Sequence, residues 1–317
     1  MNIKKIGLTA LAASLVSVSA NAGELSVSGA ASLGMGGYSS LTHNAGSTFS
    51  MGNQFTVSGS GELDNGLTVS LSMQIDSGVP FDDHSLTVAS EDFGTVKFSG
   101  HGGGSAATSV DGSVAGDIWD GYDGTALATG VTGVALKTSS PGNNSIFYTL
   151  PEVMEGVSLF ASYAPQGSNP ESETGYGITY TGIEGLTASY ATTDVNTGTT
   201  ATSGDQTSWK VNYAYGPVTV GASNTDHDTG TDASDTELSA YSIAYTVSDE
   251  LSLSYGTEEL SIGTAGSVDA DYTAIVAAYT SGGVTLTAKM ETADNVENNN
   301  DTDGDYDYWF LGAVFAF

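Results

Sequence analysis

Between residues 111 and 123 the chain reads DGSVAGDIWDGYD, which sets Asp111, Asp117, Asp120 and Asp123 around Trp119 and Tyr122. Acids at this density suit either a solvated surface loop or a row of carboxylates facing a column of water, where they favour cations. The apolar content of SVAGDIW argues for the second, since a free loop has no need of it. At about residues 101–135 this is also the longest connection between strand-like segments, and long ordered loops are commonly functional.

A second acidic run, NNDTDGDYD, carries Asn299, Asp301 and Asp303 before Gly304, matching the first half of an EF-hand loop. The twelfth position falls on Phe310 instead of a bidentate Glu, so the EF-hand match fails. What remains is an open cluster of Asp301, Asp303, Asp305 and Asp307, which reads first as a solvated loop and, as the alternative, as a weak calcium or magnesium site. Through such an ion it would reach the phosphates of lipopolysaccharide. DHDTGTD at 226–232 has the same character. The stretch HGGG at 101–104 resembles a lipase oxyanion-hole motif, but no Gly-x-Ser-x-Gly elbow occurs, and His43, His84, His101 and His227 show no ligand spacing. No catalytic residue is assigned, no cofactor is required, and an enzyme is not expected.

The elements that position these residues are strands. GLTVSLSMQIDSG places Leu67, Val69, Leu71, Met73 and Ile75 on one face and Thr68, Ser70, Ser72, Gln74 and Asp76 on the other. SWKVNYAYG and GVTLTAKMETAD repeat the period of two that marks a strand with unlike faces. Asp76, Lys97, Lys210 and Lys289 all fall on the polar parity. That parity needs no special role, because a lysine facing lipid at the midplane costs about 2–4 kcal/mol. A sharper expectation is that Lys97, on the strand feeding the long loop, opposes the loop acids, with Lys137 beyond the loop as a second base.

Sixteen strands are expected, starting near residues 24, 47, 66, 82, 94, 143, 156, 172, 185, 205, 217, 236, 250, 268, 283 and 305. Short turns such as ELDNGL and SGGV alternate with long acidic connections. A β-sandwich would give the same alternation by burying its apolar faces. The strict succession of short and long connections favours a 16-stranded antiparallel transmembrane β-barrel.

Composition narrows the setting. The chain has 317 residues, 37 acids against 6 bases, and no cysteine. It also has no arginine, which argues against nucleic acid. MNIKK followed by a short apolar run and ANA at 20–22 reads as a cleaved signal peptide over 1–22, leaving 23–317 as the barrel. Nowhere after it is there an apolar run of about 18 residues that would cross a membrane as a helix.

FGTVKFSGHGGGSAATSVDGSVAGDIWDGYDGT, FTVSGSGELDNGLTVSLSMQIDSG and the terminal LGAVFAF together resemble the Gram-negative general porins, especially the alphaproteobacterial type. The resemblance extends over essentially the whole chain after residue 22. It implies an outer-membrane homotrimer of 16-stranded barrels passing small hydrophilic solutes and ions, with the long loop as constriction. It also implies that Phe315 and Phe317, on the alternating last strand, serve as the signal read by the outer-membrane assembly machinery. The family usually sets arginines opposite the loop acids, and this chain departs from that pattern. Four lysines against 37 acids after residue 22 point to cation preference. Two other readings stay open: a channel selective for one solute class, held by Trp119 and Tyr122, and a calcium-binding structural or adhesive surface protein.

Overall fold

A computed structural model describes residues 25–38, 48–76, 82–122, 126–128, 131–139, 143–165, 172–196, 203–298 and 305–317. Strands β1 to β5 are Ser26–Tyr38, Thr48–Glu62, Thr68–Asp76, His84–Ser90 and Gly94–His101. β6 and β7, Ala126–Ala128 and Val131–Thr132, form a small separate ribbon within the long loop. β8 to β12 are Ser145–Thr149, Val157–Ala164, Glu173–Tyr180, Leu186–Val195 and Gly204–Tyr215. β13 to β18 are Val218–Thr229, Thr236–Thr246, Leu251–Ile262, Ala270–Ser281, Val284–Asp294 and Tyr306–Ala316.

Sixteen of these close into one antiparallel barrel in which each strand pairs with its sequence neighbours, apart from the ribbon, and β1 pairs with β18. The seam runs from Ala30 opposite Ala316 to Tyr38 opposite Tyr308. It continues to the last residue, since Phe317 and Gly29 exchange both backbone hydrogen bonds, at 2.8 and 3.0 Å. Closure removes the free edges that hydrocarbon does not tolerate. Among the described residues no helix is long and apolar enough to cross a membrane.

Register sorts the side chains. Because directly paired residues share a face, Leu71 opposite Leu86, Leu86 opposite Phe98, and Met290 opposite Trp309 define one parity around the ring. That parity holds most of the exposed large apolar side chains, including Met51, Tyr176, Trp209, Tyr241, Ile275, Leu311 and Phe315. The opposite parity carries Ser58, Ser72, Ser85, Lys97, Ser208, Lys210, Thr225, Glu258 and Glu291. This is the arrangement of a lipid-facing barrel with a polar interior.

The outward parity changes character at the long-loop end. Asp194 pairs with Asp205, Asp205 with Asp228, Asp226 with Glu237, Glu259 with Asp271, and Asp271 with Asp294. Like charges placed directly opposite each other repel, and none of them belongs in acyl chains. The hydrocarbon layer therefore ends below this acidic collar, at the level of Tyr190, Trp209, Tyr241 and Trp309.

Candidate functional site

The long connection between β5 and β8 is stitched to the inward parity of the wall. Leaving β5, it donates from Ala106 N–H to Ser162 Oγ on β9 at 2.8 Å and from Ala107 N–H to Thr193 Oγ1 on β11 at 3.0 Å. Gln206 of β12 donates through Nε2 to Asp111 Oδ2 at 3.0 Å, and Thr225 of β13 donates to the Asp111 carbonyl at 3.3 Å. Val114 N–H reaches Ser223 Oγ at 3.0 Å. Glu258 of β15 accepts both Ser113 Oγ at 2.5 Å and Trp119 N–H at 2.9 Å. Tyr38 of β1 donates its hydroxyl to Gly121 O at 2.9 Å. The segment thus runs along the inside of the wall from β9 to β1.

It then returns. Val134 N–H bonds Val296 O at 2.9 Å, Lys137 N–H bonds Thr236 Oγ1 at 3.0 Å, and Ser139 bonds Gln206 and Glu173 at 2.5 and 2.7 Å. The Lys137 amine donates to Ser234 O.

Packing reinforces the hydrogen bonds. Ile118, Tyr122 and Leu136 of the loop bury themselves against Leu238, Leu260, Ala270 and Tyr272 of the wall. The Tyr122 ring lies 5.9 Å from that of Tyr38 and 5.5 Å from that of Tyr272. Where the loop backbone passes closest, the wall has no side chain. A Cβ added at Gly256 would sit 2.7 Å from Ala115 Cβ, and one at Gly221 would sit 2.9 Å from Val114 Cβ.

The acids named from sequence separate into distinct settings. Asp111 is partly buried against the wall; loss of hydration pushes its carboxyl up to about 6, with the nearby Asp117 charge acting in the same direction, against the Gln206 hydrogen bond and Lys210. Asp117 and Asp120 are exposed, and Asp117 Oδ1 accepts Ser113 N–H at 2.7 Å. Asp123 lies outside the described residues, as do Asp301, Asp303 and residues 1–24. Asp305 is exposed and accepts Asn295 N–H at 3.2 Å. Trp119 is half-buried, while Tyr122 is fully buried and so is withdrawn from any water path.

The bases also separate. Lys97 is exposed and forms no ion pair among the described residues. The base beside the loop acids is Lys210: a Cβ added at Gly112 would lie 3.4 Å from its amine and 3.6 Å from Asp117 Oδ2. Lys210 lies beside the loop because β12 runs under it, whereas Lys97 stands exposed on β5, a strand the loop leaves uncovered. Lys289 pairs with buried Glu291 at 2.6 Å and lies 5.6 Å over the Tyr308 ring. Lys137 is held below the usual lysine range by partial burial, against the pull of Asp235. Asp76 faces inward opposite Gln54, and Phe315 and Phe317 face outward.

Glu258, Gln206 and Thr225 were not among the sequence candidates. Glu258 sits in TEELSI, where acids occupy both parities and Leu260 and Ile262 share the parity of Glu258, and that break in alternation is the only sequence signal it leaves.

A closed barrel with an apolar exterior, a hydroxyl-rich interior and a loop tied inside it is a transmembrane channel. A model of the Gram-negative porin family matches residues 7–260, and the chain belongs to that family. Comparison with solved structures aligns 93% of this chain with 100% of a porin refined at 1.8 Å resolution, at TM-score 0.65 and 18% identity. A triply substituted Rh. blastica porin aligns over the same shares at TM-score 0.62 and 18% identity. At such identity these likenesses establish the fold. Comparison with curated proteins gives no match. The protein is an outer-membrane channel and not an enzyme, which sets aside the reading of a surface adhesin.

Proposed function

We propose that the protein passes small hydrophilic solutes and ions by passive diffusion, with cations preferred, and that residues 101–135 form the constriction. The supporting observation is the exposure of Asp117 and Asp120 on a loop bound along the inner wall from β9 to β1. The wall left uncovered, β2 to β5, carries Ser58, Ser60, Ser70, Ser72, Ser85 and Thr87, with Lys97 as its base. Lys210 and Lys289 are set beside acids, so their charges are offset locally. Carboxylates facing water along a narrow path raise the local cation concentration.

Passage needs no binding step, and the burial of Tyr122 removes one of the two aromatics that a solute-selective channel would use. The acidic collar further suits calcium or magnesium ions bridging the outward carboxylates to lipopolysaccharide phosphates, with Asp301, Asp303 and Asp305 proposed as further ligands. We take the assembly to be a homotrimer and residues 1–22 to be a removed signal peptide. Reversal potentials across planar bilayers under a potassium chloride gradient test the cation preference. A saturable current with one solute would favour the selective channel instead.

A further inference from the structure

We propose that Asp82, Asp83 and His101 form a site for one divalent transition-metal ion at the long-loop end of the barrel. One donor atom from each of the first three lies within 4.8 Å of the others, and His101 Nδ1 is 3.3 Å from Asp83 Oδ1. A tetrahedral site with bonds of about 2.1 Å holds its donors about 3.4 Å apart, so side-chain rotation alone closes the observed spread.

The backbone is shaped for this cluster. His84 and His101 are Cα partners, yet Ser85 pairs with Ser99, so the ladder slips by one residue and Gly100 bulges. A Cβ at Gly100 would collide with His84 Nε2, and one at Gly102, where φ is +66°, would collide with Asp83 Oδ1. The glycines flanking His101 thus leave room for the two side chains that approach it. That gives the HGGG stretch a reason unrelated to an oxyanion hole.

The donor set fixes the class of ion. Calcium and magnesium prefer oxygen ligands throughout, whereas imidazole with carboxylate suits zinc, copper or nickel. Two carboxylates neutralise a divalent charge, and exposed His101 leaves positions for water. Bound there, the ion clips the β3–β4 connection to the strand that feeds the inserted loop.

The test uses the folded full-length protein in detergent with calcium in excess, which occupies carboxylate-only sites. Zinc titration calorimetry is expected to show one site that survives the calcium, and copper bound there should show nitrogen hyperfine structure in its electron paramagnetic resonance spectrum. His101→Ala and Asp83→Asn should each weaken zinc by about tenfold or more, while His43→Ala and His227→Ala leave it unchanged. Gel mobility before and after boiling checks that each variant is folded; if His101→Ala fails to fold, Asp82→Asn and Asp83→Asn give the same reading. Equal zinc affinity in wild type and the folded site variants overturns the proposal. So does loss of zinc binding to calcium, or a copper spectrum without nitrogen coupling.

Discussion

Trp119 N–H donates to Glu258 Oε2 at 2.9 Å, joining the middle of the inserted loop to a wall residue 139 positions later in the chain. The other oxygen of the same carboxylate takes Ser113 Oγ at 2.5 Å. Hydrogen bonds to a charged partner contribute about 1.5–3 kcal/mol each, so Glu258, when ionised, holds the loop to the wall by two such bonds.

Glu258→Ala should therefore release residues 113–119 from the wall and change single-channel conductance, with noisier open states. Gly256→Leu should act similarly by steric means, because Ala115 occupies the space its side chain would enter. Glu259→Gln, one residue along and facing outward, serves as the control and should leave conductance unchanged. Identical traces from all three variants would contradict the docking role.

The pH response follows from Asp111. Its carboxyl, raised to about 6 by burial, carries charge above that pH and is neutral below it. Cation preference should weaken as pH falls from 7 to 5, with a midpoint near 6, and Asp111→Asn should remove that step. A raised carboxylate pKa means the native state holds the proton more tightly. Docking is then favoured on the acid side, and this contribution is lost as pH rises from about 4 to 6. Reversal potentials recorded at stepped pH in both proteins check the midpoint.

Removing one partner from a buried ion pair leaves the other uncompensated, at a cost of about 3–5 kcal/mol. Glu291 is 4% exposed and bonded to Lys289 at 2.6 Å. Lys289→Met should lower the temperature at which the barrel loses its folded gel mobility. Combining it with Glu291→Gln removes the stranded charge and should recover most of the loss. Thermal scans of the single and double variants decide it.

The seam depends on the final residue. Deleting Phe317 removes both backbone bonds to Gly29 and the last outward aromatic. The yield of folded, membrane-inserted protein should fall steeply, while Phe317→Tyr should retain it. Equal yields would show that the closing pair is dispensable.

Most of the barrel can be read from the residues alone. The expected sixteen starts lie within two residues of the observed ones, from 24 against Ser26 to 305 against Tyr306. Outward side chains alternate with polar ones wherever lipid meets one face, and tight turns interrupt the pattern. The inner apolar patch was not legible. Leu238, Leu260, Tyr272 and Ala274 lie on the inward parity, which the alternation marks as polar. DYTAIVAAYTS is apolar on both faces because loop side chains cover its inside. The candidate site was legible only as a loop: its acids are evident in sequence, but which base approaches them depends on which strands the loop crosses. The ribbon of β6 and β7 is too short to leave a periodic signal.

The reversal potential across a planar bilayer, in a potassium chloride gradient at neutral pH, tests the central claim most directly. An aqueous path lined by Asp117 and Asp120 predicts a potential of the sign set by potassium, reduced when both are changed to Asn. A chloride-dominated potential, or no ohmic current from the correctly inserted protein, would contradict it.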